Sequence, residues 1–213
     1  IRFVTPEEYS NSRMEIMEEI KEKLEKEGHK AYIIPEGASN GIGSLGYCKA
    51  MDEILNQEKE LGVKFDAIVV AVGSGGTYSG LYYINKLKNN DAQIFGVNVC
   101  NDADYFKNRV LELLKEISIY TGKEIHADIE DINIIDGYVG IGYALSRQEE
   151  IDFLHRLAKL EGIILDPVYT GKAMYGLVEE IKKGRFNEFK NILFIHTGGI
   201  FGWTGYARNM LKD

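Results

Sequence analysis

Ala67-Ile-Val-Val-Ala-Val72 is an unbroken apolar run, and Gly73-Ser-Gly-Gly-Thr77 follows it without a linker. A strand with one face in water alternates apolar and polar residues, whereas a strand apolar at every position has to be buried on both faces. The chain must therefore supply helices above and below a sheet, and a mainly parallel sheet does this through its crossover connections.

The rest of the pattern agrees with this α/β reading. Apolar strands are predicted over residues 65–72, over Gln93-Ile-Phe-Gly-Val-Asn98 and over Asn191-Ile-Leu-Phe-Ile195. Helices are predicted from the 37–43 loop to about Leu61, from Thr77 to Leu87, and over 103–121, 147–161 and 171–183, with a final helix after Gly199. Thr5-Pro6-Glu-Glu8 is a helix opening, and Met14, Ile16, Met17, Ile20 and Leu24 recur at helical spacing until Gly28 ends that helix. Ile1-Arg-Phe-Val-Thr5 and Ala31-Tyr-Ile-Ile-Pro35 read as short strands, and the acidic segment from Glu124 to Asp131 has no assignable pattern.

With 213 residues, 45% of them hydrophobic and 27% charged, the chain can bury a full core. A net charge of −8 argues against a broad nucleic-acid or membrane-surface footprint, since either needs a basic face. Cys48 and Cys100 lack CxxC spacing and are expected to be free thiols. His29, His126, His155 and His196 form no metal-ligand cluster, and neither a membrane span nor a leader is expected. The expected location is the cytoplasm.

In a sheet of this kind, ligands bind beyond the carboxyl ends of the strands. Gly73-Ser74-Gly75-Gly76-Thr77 occupies such a corner, where glycines let the backbone turn and bring several N–H groups to one anion while the next helix adds its dipole. The same residues could be a tight turn with no ligand. They are not a P-loop, which needs Lys-Ser/Thr after its last glycine, nor the dinucleotide fingerprint, which wants glycine where Tyr78 stands. A second corner, Phe194-Ile-His-Thr-Gly-Gly199, has the same grammar. There His196 reads more readily as a structural histidine, and Thr197 is the better placed ligand contact. In a third loop, Leu165-Asp-Pro-Val-Tyr-Thr-Gly-Lys-Ala173, Lys172 could be a Schiff-base lysine or a structural partner of Asp166, and spacing leaves the choice open.

Together Ala71-Val-Gly-Ser-Gly-Gly-Thr77, Asp136-Gly-Tyr-Val-Gly-Ile-Gly-Tyr143, Glu161-Gly-Ile-Ile-Leu-Asp-Pro-Val-Tyr-Thr-Gly-Lys-Ala-Met174 and His196-Thr-Gly-Gly199 resemble the 1-aminocyclopropane-1-carboxylate deaminase and D-cysteine desulfhydrase family. Pro35-Glu-Gly-Ala-Ser-Asn40 and Gly46-Tyr47 resemble it as well, so the likeness spans nearly the whole chain. The resemblance implies a pyridoxal-phosphate enzyme of the tryptophan-synthase-β-like fold, fold type II, incomplete at its N-terminus. Residues 1–40 would be the last strand-helix-strand portion of its small domain and 41–213 part of its large, cofactor-binding domain.

By the same resemblance, Gly73, Ser74, Gly75, Gly76 and Thr77 would cradle the pyridoxal 5'-phosphate phosphate group, and Thr197 or Thr170 would lie near the pyridine nitrogen. Tyr143 and Tyr169 match two catalytic tyrosines near the substrate's reacting end. Lys172 does not match the family's Schiff-base lysine, which lies in an N-terminal part that nothing here matches, so the 213 residues alone are expected to be inactive. Deaminases of the family carry Glu after the tyrosine of the Asp-Pro-Val-Tyr motif, where this chain has Thr170. A hydroxyl sustains a weaker electron sink than a carboxylate, which suits β-elimination of hydrosulfide better than cyclopropane opening. The resemblance thus implies a lyase for a small amino acid, first D-cysteine, with 1-aminocyclopropane-1-carboxylate deaminase, cysteate sulfo-lyase or a noncatalytic phosphate-ligand module as alternatives. A homodimer is expected, because an incomplete domain leaves a sheet edge or an apolar face to cover.

Overall fold

The computed structural model describes residues 1–211. Its contacts divide the chain into two compact units, Ile1–Glu36 and Gly37–Asp213.

The first unit is essentially one helix, α1 (Pro6–Lys26), opened by a capping box in which Thr5 Oγ1 accepts from Glu8 N–H and the Glu8 carboxylate accepts from Thr5 N–H. Its residues Arg13 and Glu36 form an ion pair at 2.9 Å. The strands expected over 1–5 and 31–35 do not form: both segments are without regular structure. A strand exists only where a neighbouring backbone takes its N–H and C=O groups, and β-propensity in Ile1, Phe3, Val4, Tyr32 and Ile34 does not provide one.

The second unit runs α2 (Gly41–Leu61), β1 (Ala67–Val72), α3 (Gly76–Leu87), β2 (Gln93–Asn98), α4 (Ala103–Thr121), β3 (Asn133–Ile135), α5 (Gln148–Glu161), α6 (Thr170–Lys182), β4 (Ile192–Phe194) and α7 (Gly205–Asn209), with short 3-10 turns between. The strands form one parallel sheet in the order β3-β2-β1-β4, with Ala67 opposite Gln93 and Ile192, and Phe95 opposite Asn133. Strand β3 was not legible beforehand because three residues between a 3-10 turn and a loop carry too little pattern. The expected final helix is a 3-10 turn over Ile200–Gly202 followed by the short α7.

The apolar run of β1 is explained by two cores. Ile68, Val70 and Val72 pack with Met51, Tyr78, Leu81, Phe106 and Val110 of α2, α3 and α4, whereas Ala67 and Val69 pack with Ala173 and Leu177 of α6. Each valine or isoleucine among them, fully buried, contributes about 1.5–3 kcal/mol, which is why no position in β1 is polar. Tyr78 ties the layers together, its hydroxyl donating to Ile94 O at 3.1 Å and accepting from Asn133 N–H at 3.0 Å.

Candidate active site

The order β3-β2-β1-β4 places the reversal of the chain between β1 and β4. From β1 the chain turns to α3 on one face. After β4 it turns to the other, where Trp203 and Ala207 pack with Leu165, Tyr175 and Phe194. Loops leaving a sheet in opposite directions open a crevice at the carboxyl ends of its strands. The Gly73–Thr77 and Ile195–Gly199 segments flank that crevice.

The first segment is the candidate anion cradle. Gly75 is the N-cap of α3 with φ +92°, a conformation that favours glycine, and being glycine it offers the helix no capping side chain of its own. First-turn amides have no partner within a helix and carry the positive end of its dipole, so the start of α3 favours an anion. Ser39 completes the cradle from another loop: its Oγ lies 2.6 Å from Ser74 Oγ and accepts from Gly76 N–H at 3.2 Å. Two residues of α4 hold that loop, Arg109 donating to Ser39 O at 2.9 Å and Glu116 accepting from Gly41 N–H at 2.7 Å. Helix N-terminus, hydroxyls and glycine backbone together fit a phosphate group, and a methyl on Gly76 would stand 2.7 Å from Ser39 Oγ.

Tyr169 connects the cradle to the tyrosine pair. A methyl on Gly73 would stand 3.0 Å from the Tyr169 ring, so glycine there lets the ring lie against the loop. The Tyr143 and Tyr169 hydroxyls are hydrogen-bonded to each other, and their rings meet edge to face with centroids 5.8 Å apart. Tyr143 is half exposed.

Asp166, buried completely, fixes the third loop and was read from sequence only as a neighbour of Lys172. Its carboxylate accepts from Val168 N–H (2.8 Å), Tyr169 N–H (2.7 Å), Thr170 N–H (2.8 Å) and the Thr170 hydroxyl (2.6 Å). The Thr170 hydroxyl, fully buried, also accepts from Asp166 N–H at 3.1 Å, so its single donor is spent inside its own loop. Thr197 is exposed. The loop that carries it reaches the same carboxylate, since a methyl on Gly199 would stand 2.7 Å from Asp166. His196 pins the two loops, with Nε2 3.2 Å from Ile164 O and Nδ1 accepting from Gly198 N–H at 3.1 Å. That is a structural role.

Lys172 is not paired with Asp166. Its buried ammonium donates to Val139 O, to Gly142 O at 2.7 Å and to Leu145 O at 2.8 Å, and burial lowers its pKa below the ordinary lysine value. Asp136 closes the edge of the site beyond β2 and β3. Burial pushes its pKa up, but hydrogen bonds from Gly137 N–H, the Asn98 amide and Ala103 N–H outweigh this and hold it below the usual carboxylate range. Among the described residues no group of His, Cys, Asp and Glu could hold a metal ion.

The model of one protein family, described as pyridoxal-phosphate dependent enzyme, matches residues 1–198. The chain belongs to this family. A bifunctional D-cysteine desulfhydrase/1-aminocyclopropane-1-carboxylate deaminase of Arabidopsis thaliana, named as mitochondrial, is 44% identical over 207 residues, covering 95% of this chain and 50% of its own. A Thermotoga maritima protein named for 1-aminocyclopropane-1-carboxylate deaminase is 41% identical over 210 residues, 98% of this chain and 64% of its own. The crystal structure of a deaminase homologue superposes with a TM-score of 0.83 at 41% identity, over 92% of this chain and 58% of that one. The α/β architecture with its parallel sheet is therefore that of the pyridoxal-phosphate dependent family. The chain spans between half and two thirds of the length of these relatives.

Proposed function

We propose that the chain supplies the phosphate cradle and the tyrosine pair of a pyridoxal-phosphate-dependent lyase that acts on D-cysteine, giving pyruvate, ammonia and hydrogen sulfide with consumption of one water. The observation that carries the reading is the closeness of the Tyr169 ring to Gly73, where an added methyl would stand 3.0 Å from it, which brings a pair of phenols beside the candidate anion cradle at the crevice of the sheet.

Bound pyridoxal phosphate supplies an electron sink for charge developing at the substrate's α-carbon. Gly73, Ser74, Gly75, Gly76 and Thr77 would hold its phosphate, and Ser39 would join them because its hydroxyl already caps Gly76 N–H. Thr197 is the hydroxyl we assign to the ring nitrogen, since that of Thr170 is taken by Asp166. Tyr143 and Tyr169, hydrogen-bonded to one another, can pass a proton between their oxygens toward a leaving group. Asp166 positions Tyr169 and the 197–199 loop. In this reading residues 1–40 fall in the small domain and 41–213 in the large one.

Choice of substrate rests on residue 170. A threonine there places no carboxylate in the ring-nitrogen position expected of the deaminases, and its hydroxyl proton is already donated to Asp166. The names of the relatives divide between the two activities, so the test compares products. The gene product is loaded with pyridoxal phosphate, passed through gel filtration and given D-cysteine, 1-aminocyclopropane-1-carboxylate or cysteate. Retained cofactor with hydrosulfide as the main product is expected. A dominant 2-oxobutanoate or sulfite signal would move the assignment to the deaminase or sulfo-lyase, and failure to retain cofactor would reduce the cradle to a site for another phosphate ligand.

We assign the protein to the cytoplasm and to a homodimer. No helix among the described residues is long and apolar enough to cross a membrane. Large apolar side chains such as Ile119 and Phe201 are exposed. A sedimentation experiment that returned only monomer would overturn the dimer.

A further inference from the structure

We propose that Lys172 is a positioning residue: its ammonium ties the 139–145 loop to the first turn of α6 and so holds Tyr143 against Tyr169. The inference rests on the reading above, in which this tyrosine pair faces the substrate, and it adds a role for the lysine that the reading does not use.

Three observations carry it. Lys172 is 1% exposed, yet its Nζ donates to Val139 O, Gly142 O (2.7 Å) and Leu145 O (2.8 Å), one carbonyl for each proton of an ammonium. Three carbonyls converging on one point repel each other unless a cation sits among them, and this loop converges them by unusual turns, with φ +72° at Gly140, +145° at Gly142 and +58° at Ala144. Finally, Tyr143 lies between two of the bonded carbonyls, while Tyr169 lies three residues before Lys172 at the N-cap of α6. One helical turn therefore presents both a tyrosine and the group that fixes its partner.

The surroundings support the clamp from the other side of the loop. A methyl on Gly140 would stand 2.9 Å from Glu150 Oε1, and the Glu150 carboxylate is itself held by Arg147 through N–H (2.8 Å), Nε (3.1 Å) and Nη2 (3.0 Å). Glu150 and Arg147 are the charged groups that act on Lys172 from α5 and its start, the first favouring the ammonium and the second opposing it. To act instead as a covalent partner for the cofactor, the lysine would have to give up all three carbonyls and leave them buried without donors.

The test uses the chain labelled with 15N-lysine and ring-labelled tyrosine, observed by NMR without cofactor. In the wild type the Lys172 Nζ signal is expected to be protected from solvent exchange. Lys172→Met should shift the Tyr169 ring signal and speed amide exchange in residues 140–145 by about tenfold or more. Tyr143→Phe should move the Tyr169 signal alone, and the double variant should move it no further, the non-additive result expected of a residue acting through its neighbour. An unchanged Tyr169 signal in Lys172→Met, or an additive double variant, would overturn the proposal. Should Lys172→Met fail to fold by circular dichroism, the wild-type Nζ signal decides, free exchange overturning the clamp. Borohydride reduction of pyridoxal phosphate onto Lys172 would overturn it too. Turnover separates the two readings: if the gene product keeps its kcat with Tyr143→Phe while the NMR coupling holds, the role given to the tyrosines fails and the clamp stands.

Discussion

The hydroxyls of Ser39 and Ser74 meet at 2.6 Å although 35 residues separate them, and the Ser39 oxygen also takes the N–H of Gly76. Ser39 thus links the loop before α2 to the cradle at the start of α3. Ser39→Ala removes both contacts without adding bulk. We expect a loss of about 1–2 kcal/mol in denaturant unfolding, together with weaker retention of pyridoxal phosphate. Unchanged retention would show that Ser39 only supports the loop.

Gly75 tests the cradle by its backbone. With φ +92° and a Leu113 methyl 3.2 Å from where a side chain would begin, Gly75→Ala is expected to cost about 1–2 kcal/mol and to cut cofactor retention. Gly80→Ala is the contrast, because its methyl would meet the Ser44 carbonyl at 2.3 Å and Cys48 N at 2.9 Å in the backbone of α2. It should lower the thermal midpoint by more than Gly75→Ala does, since backbone atoms in a packed helix pair cannot yield.

Asp166 bonds its own loop and lies close against the 199–202 loop, so its replacement should act on both. Asp166→Asn offers an NH2 group where four donors now point, and about 2–3 kcal/mol should be lost. Hydrogen exchange should rise in residues 166–170 and 197–202 together. Exchange confined to the first would show that the second loop is held elsewhere.

Asp136 sets an acid limit. Its folded pKa lies below the unfolded value, so its stabilisation is complete above the ordinary aspartate range, about pH 3.9, and is lost as pH falls through the folded value. Unfolding free energy measured between pH 7 and 2.5 should fall at the acid end, and Asp136→Asn should flatten that fall. An identical slope in the variant would assign the acid transition to other carboxylates.

The sequence by itself determined the α/β class and most of the helices, because continuous apolar strands and capped, periodic helices are local patterns. Strand Gln93–Asn98 and helix Ala103–Thr121 stand where composition and spacing put them. The glycine loop was legible too, since an apolar strand running into Gly-Ser-Gly-Gly has few other physical uses. Tertiary structure decided what depends on partners far along the chain. Residues 1–5 and 31–35 have strand-forming side chains but no strand beside them, whereas the three residues of β3 become a strand because β2 offers its edge. Ser39 joins the cradle only through the packing of its loop on α4, and the Thr170 hydroxyl is withdrawn by Asp166. The choice between a reactive and a structural Lys172, open on spacing, falls to three carbonyls that are 27 to 33 residues away and converge only in the folded chain. Local patterns fix elements because their energies are local; roles of polar side chains are fixed by the donors and acceptors that burial brings to them.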